Sequence, residues 1–368
     1  MTFVRPAGIL RAMPRPIRAT ISTAALAHNL GIARNHAGPA KVWAVLKANA
    51  YGHGLLRAAQ AMAAADGFAV LDFVEALRLR NAGVTKPILM LEGFFQAQDL
   101  PLLARHRLTP VIHNIEQVEM LGKAPSDPPL EVYLKVNSGM NRLGFAMDNV
   151  LLAWNGLKAN KGVASVTLMT HFADAEGEEG ITGQLQWFGI ETRSFKAPRS
   201  LANSAALLRF PEESRADWVR PGIMLYGCSP LAFKSAEEIG LKPAMTLTSE
   251  IVGVQHLEQG ERVGYGFAYQ AAQEMTIGIV ACGYADGYPR HAPSGTPALV
   301  AGQRTSTVGR VSMDMLCVDI SDIEQAYVGT PVTLWGEGLP CEVVALAAGT
   351  VSYELLCALA PRVPVVEI

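Results

Sequence analysis

The feature that most limits the fold is an alternation. Apolar runs of strand length at 42–46, 67–73, 87–92, 109–113, 130–137, 165–172, 199–204 and 218–226 take turns with helix-like segments. The intervening segments carry one polar and one apolar face, as at 55–65, 74–81, 115–121, 149–160 and 183–195. Eight strand-then-helix cycles are the pattern of a (β/α)8 barrel. Alternation alone does not reveal closure, so an open doubly wound sheet competes. The count of eight and the lack of a glycine-rich dinucleotide turn favour the barrel.

Past about Pro243 the texture changes. Alternating runs at 245–254, 275–282, 298–300, 316–320 and 331–335 are separated by Gly, Pro and Asp turns and end in a short helical stretch, 343–359. The reading is a β-rich C-terminal domain over 243–368, a barrel over 23–242, and residues 1–22 as an extension plus a strand at 17–21 that joins the β-rich part. Met13 directly precedes that strand, so residues 1–12 read as a loose extension or a mis-assigned start.

Half of the residues are apolar, enough for a sizeable core, and the net charge is −2 with no long run of either sign. That excludes a nucleic-acid or membrane-surface footprint and points to a small ligand. Five widely spaced cysteines suit neither a disulfide framework nor a zinc site, so a reducing compartment fits. The N-terminus has no continuous apolar stretch for a secretory signal or a spanning helix, and the expected location is the cytoplasm.

The first strand runs into "KANAYGHG", so a buried strand is expected to end at Lys47. Desolvation penalises an ammonium and pushes its pKa down, which is what a Schiff-base lysine requires. A lysine that merely snorkels to water is the plain alternative. In barrels of this kind chemistry gathers at the C-terminal ends of the strands and phosphate after the last two. His171 ends the sixth run, Asn203 and Ser204 end the seventh, and Arg220, Gly222 and Ile223 lie in the eighth. A small hydroxyl and free backbone N–H groups suit a phosphate. Taken singly, each of these has an ordinary packing or turn role.

Together with "KVWAVLKANAYGHG", the segments "LKVNSGMNRLGF", "THFADAE", "ANSAA", "VRPGIMLYG", "VGYG", "CGYADGY" and "GRVSMDM" resemble alanine racemases, in the family's order and over nearly the whole chain. The resemblance implies pyridoxal 5′-phosphate as cofactor, alanine as substrate, and a homodimer whose active site is shared between subunits. It implies Lys47 as cofactor lysine and as one catalytic base, with Tyr265 from the second subunit as the other. Arg220 would face the pyridine nitrogen, where its permanent proton restrains side reactions. Tyr51, Ser204, Gly222, Ile223 and Tyr353 would hold the phosphate, with His171 and Asn203 also at the cofactor. Met313 would offer its backbone N–H to the substrate carboxylate beside Arg142, and Tyr284 would line the entrance. Lys135 corresponds to a lysine often carbamylated in the family. Asn137 and Ser138 stand where Asp and Thr are common, and Glu176 where Asp is expected.

Three other functions compete. A broad-specificity racemase shares the chemistry. A cofactor-binding homeostasis protein would lack the second domain and Tyr265. A barrel-type decarboxylase would need a catalytic cysteine in the β-rich domain; Cys317 is a candidate, but it sits inside an apolar strand, as a core residue does.

Overall fold

The computed structural model describes residues 15–123 and 127–368, so the expected extension at 1–12 lies outside the described residues. Strand β1 (Arg18–Ile21) is followed by the helix Thr23–Ala37, which Ser22 caps by accepting the Ala25 N–H at 3.1 Å. The barrel strands then follow: β2 (Lys41–Val45), β3 (Gly67–Val70), β4 (Ile88–Met90), β5 (Leu108–Ile112), β6 (Leu130–Lys135), β7 (Val163–Met169), β8 (Arg199–Ser200) and β9 (Trp218–Val219). Each pairs in parallel with the next, and β9 returns to β2 through Lys41 with Trp218 and Val42 with Val219. The sheet is therefore a closed barrel. Residues of β3, β4 and β5 are buried along their whole length, which is why these strands read as unbroken apolar runs.

Large side chains fill the barrel. Trp43 stacks on Trp218 at 4.3 Å between ring centroids and donates its indole N–H to Tyr133 Oη at 2.9 Å. Gly67 makes room for it, since a Cβ there would fall 2.2 Å from the Trp43 ring.

Several strands stop earlier than the apolar runs suggest, because the chain turns on capping residues. Asp72 accepts the Glu75 N–H at 2.8 Å and starts the helix Phe73–Asn81, so β3 does not reach residue 73. Asn203 caps Ser204–Arg209 by accepting the Ala206 N–H at 2.9 Å. Pro221 offers no N–H to a ladder, and a 3-10 turn, Ile223–Tyr226, takes over from β9. The lysine expected at a strand end stands past it: β2 stops at Val45, and Lys47 opens a turn.

The C-terminal part is a separate sheet built on β10 (Met245–Leu257). Along its first half β10 pairs with β1 and with Pro331–Trp335, and along its second half with Met275–Val280. The register slips between Ile251 and Gly253, where one long strand passes from one partner to the next. Through Pro297–Val300, Gln303–Val308 and Leu316–Asp319 the pairing closes into a ring, with β1 and Val365–Glu367 added outside it. Gln303–Val308, which is mostly polar, and Val365–Glu367, which is only three residues long, are strands beyond those expected from the sequence. The helical tail is two helices, Cys341–Ala347 and Ser352–Cys357, broken where Gly349 takes φ +71°. The second of these packs against the turn that carries Lys47 and so brings Tyr353 to the barrel mouth. Among the described residues no helix is long and apolar enough to cross a membrane.

Candidate active site

The turn after β2 has an unusual backbone. Ala48, Asn49, Ala50 and Tyr51 all have φ between +50° and +56°, a left-handed helical turn made of non-glycine residues. Each such residue costs roughly 1–2 kcal/mol, so the turn persists only because its surroundings hold it. The Asn49 N–H donates to Glu75 Oε1 at 2.9 Å, and Asn49 Oδ1 accepts the Leu55 N–H at 3.0 Å. Gly52, at φ +80°, ends the turn where a Cβ would lie 2.2 Å from the Leu356 carbonyl oxygen. His53 is fully buried, with Nδ1 at 2.9 Å from the Tyr51 carbonyl and its ring against Tyr226 at 4.7 Å. Tyr226 stacks on Tyr51 at 4.5 Å and donates its hydroxyl to the Val45 carbonyl at 2.7 Å. Lys47 and Tyr51 are thereby aimed into the barrel mouth.

There they line a cavity of about 610 Å³ with Lys135, Arg142, His171, Asn203, Ser204, Arg220, Gly222, Ile223 and Tyr353. Arg220 is buried and carries no carboxylate partner among the described residues. Instead its Nη1 donates to Ser200 Oγ at 2.6 Å, and its Nη2 donates to the carbonyls of Thr170 at 2.6 Å and Leu201 at 3.1 Å. Ser204 Oγ accepts the Gly222 N–H at 2.8 Å, and the Tyr51 hydroxyl closes over Gly222 so tightly that a Cβ there would lie 2.5 Å from it.

Cations dominate the cavity. Burial, then Arg142, lowers the Lys47 amine below the usual lysine range. Burial, then Arg220, lowers Lys135 to about 8. His171 is held well below the ordinary histidine range, by burial first and then by Arg220, and stays neutral. Burial brings Arg220 down to about 10, still high enough to keep its proton at neutral pH. Against these stand only Glu92 and Glu176 among the lining carboxylates. Such a cavity suits an anionic ligand, and the Lys47 amine of lowered basicity stands beside it as a nucleophile.

Three of the expected site residues are not brought to it. Tyr265 is 72% exposed, Met313 52% and Tyr284 37%, all on the β-rich part and outside the cavity lining. Tyr284 and Met313 are neighbours, joined by the Tyr284 N–H donating to the Ser312 carbonyl at 3.0 Å and the Ala285 N–H donating to the Met313 carbonyl at 2.9 Å. Cys317 packs against a small apolar cluster with Val263, Met275 and Val308, away from the cavity lining, which gives it a core role.

Residues 21–230 match the alanine racemase N-terminal domain and residues 244–367 the alanine racemase C-terminal domain. This chain belongs to the alanine racemase family. The alanine racemase of Nitrosospira multiformis is 57% identical over 353 residues, 95% of this chain and 99% of that one. The alanine racemase of Paraburkholderia phytofirmans is 53% identical over 96% of this chain and 99% of its own. Among solved structures, the biosynthetic alanine racemase of Pseudomonas aeruginosa superposes with a TM-score of 0.94 at 46% identity, covering 96% of this chain and 99% of that one. The Acinetobacter baumannii enzyme gives 0.92 at 39%, covering 96% and 100%.

Alanine racemases are isomerases that use pyridoxal 5′-phosphate, and the cavity fits that group. A side chain at Gly222 would obstruct the cradle beside Ser204, Lys47 offers an amine of lowered basicity, and Arg220 offers a fixed donor in the floor. Sequence reasoning missed the supports: Ser200 and Thr170 under Arg220, Tyr226 behind Tyr51, and Glu75 on the Lys47 turn. Asp72 and Glu75 have the spacing of a helix start, so nothing in the sequence connects Glu75 with the Lys47 turn.

Proposed function

We propose that the chain interconverts L- and D-alanine in the cytoplasm, supplying D-alanine for peptidoglycan or serving alanine catabolism, at a site completed by a second copy of itself. The carrying observation is that the cavity holds Lys47 while Tyr265 stands exposed on the β-rich part, turned to the surroundings rather than to its own barrel. In this reading residues 23–242 hold the cofactor and 243–368 supply the opposite wall of a neighbour's site.

Pyridoxal phosphate, when bound, supplies an aldehyde that takes up an amino group and a ring that draws electron density from the adjoining carbon. Tyr51, Ser204, Gly222, Ile223 and Tyr353 bind the phosphate, with Asn203 and His171 alongside. Lys47, kept neutral more readily by burial, takes the α-proton on one face and returns it from there in the reverse direction. Tyr265 does the same on the other face, with Arg142 and His171 near its hydroxyl in the assembled site. Arg220, which keeps its own proton, would offer a hydrogen-bond donor to the ring nitrogen and would not supply a proton to it. The Met313 N–H and Arg142 hold the substrate carboxylate, and Tyr284 narrows the entrance. Lys135, close to Arg142, adds carbon dioxide through its neutral amine, forming an N–C bond and losing an N–H proton to solvent, and the resulting carbamate anion orients the arginine; its lowered basicity supplies the neutral amine this needs.

The test is direct. Purified protein incubated with pyridoxal phosphate, reduced with borohydride and digested should carry the label on Lys47, and L-alanine should lose optical rotation far faster than L-serine. A label elsewhere would overturn the role of Lys47, and equal rates on the two substrates would favour a broad-specificity racemase. Native intact mass in the same experiment shows whether Lys135 carries one added carbon dioxide.

A further inference from the structure

Behind Lys47 a second cavity, of about 390 Å³, is lined by Lys47, Ala48, Tyr51, Leu71, Asp72 and Glu75, with the helix Ser352–Cys357 at its edge. Glu75 is 8% exposed and forms no ion pair among the described residues. Its two oxygens go to two different segments: Oε1 accepts the Asn49 N–H at 2.9 Å, and Oε2 accepts the Leu71 N–H at 3.2 Å. The helix it sits on does not need this carboxylate, because Asp72 already caps the first turn. What needs it is the left-handed turn, whose strained backbone has an amide pointing at Glu75 and the reactive lysine two residues earlier.

We propose that Glu75 is a positioning residue that clamps the left-handed turn and so fixes where the Lys47 amine stands. This rests on the reading of Lys47 as cofactor lysine and base. Only a carboxylate of this length fits the task. Glutamine would turn an NH2 toward one of the two N–H donors, and aspartate is one carbon too short to reach both. A buried, unpaired carboxylate costs free energy unless its acceptors are used, and here both are used on backbone that leads to the site.

The experiment compares Glu75→Gln and Glu75→Asp, each alone and combined with Ala48→Gly. Ala48 has φ +56° and an exposed side chain, so glycine there relaxes the turn without opening a hole in the core. Readouts are kcat, KM for alanine, and the rate at which pyridoxal phosphate becomes borohydride-trappable at Lys47, with circular dichroism to check the fold. Loss of the clamp should lower kcat and the attachment rate together by about 10²-fold with KM little changed. Ala48→Gly should recover about tenfold of this, as relief of left-handed strain permits, in proteins that circular dichroism shows to be fully folded, where a general loss of stability leaves no deficit to recover. Wild-type kcat and attachment in the Glu75→Gln protein would overturn the proposal, as would losses that Ala48→Gly fails to recover. Glu75→Asp decides the matter in the same way should Glu75→Gln not fold. Attachment at another residue in the wild-type protein would overturn the reading of Lys47 and the proposal with it, whereas normal attachment with unaffected variants overturns the proposal alone.

Discussion

Arg220 is held by three hydrogen bonds, to Ser200, Thr170 and Leu201, none of them to an anion. A guanidinium held this way is pinned in direction and keeps its charge, so it can donate toward a ring nitrogen but cannot supply a proton to it. Arg220→Glu would place an acid where a cation stood. We expect racemisation to fall and the ratio of transamination to racemisation to rise, read from keto-acid release against loss of rotation. The ratio is the useful quantity, since burying an unpaired carboxylate among carbonyls also destabilises the fold, and both reactions draw on the same folded molecules. Unchanged partitioning would remove Arg220 from the mechanism. The sequence marked Arg220 through its motif, but Ser200 and Thr170 are ordinary strand-end residues, and only their distances give them a part.

At the scale of elements, the turn from β2 is the least ordinary piece of the molecule. Its expected form was a strand ending at a lysine. Instead the four residues before Gly52, none of them glycine, adopt left-handed geometry, which no local propensity would predict. His53 is built into this turn. Burial pushes its imidazole from 6.5 down to about 4, so below pH 6.5 the unfolded chain takes up a proton that the folded one refuses. The fold is therefore most stable with respect to this group above pH 6.5, and that stability is lost progressively toward pH 4, by roughly 3 kcal/mol in all. Thermal unfolding from pH 7 to 4 should show it, with a shallower fall in His53→Gln than in the wild type. Parallel curves would mean that His53 is not held neutral.

For the whole molecule, the question is where the three displaced residues act. Tyr265, Tyr284 and Met313 lie on the β-rich part outside the cavity lining, and the proposal assigns them to a neighbour's barrel mouth. Lys47→Ala and Tyr265→Phe proteins should each be nearly inactive, the second slowed by about 10²- to 10⁴-fold as for loss of a general acid or base. Mixed under conditions that exchange subunits, they should recover about a quarter of wild-type activity, because half of the dimers are hybrid and each hybrid has one intact site. No recovery despite proven exchange would mean that both residues serve the same chain. The (β/α)8 alternation, the β-rich second part and the strand-end residues Lys47, His171, Asn203, Ser204 and Arg220 could be read from the sequence, since periodicity and side-chain chemistry are local properties of a chain, whereas Tyr51, Lys135, Arg142 and Tyr353 came only with the family resemblance. Closure of the barrel, the left-handed turn and the clamps on Lys47 and Arg220 depend on which distant segments meet. They were decided only by tertiary structure, where strain that no short segment would bear alone is held by hydrogen bonds and packing from elsewhere in the fold.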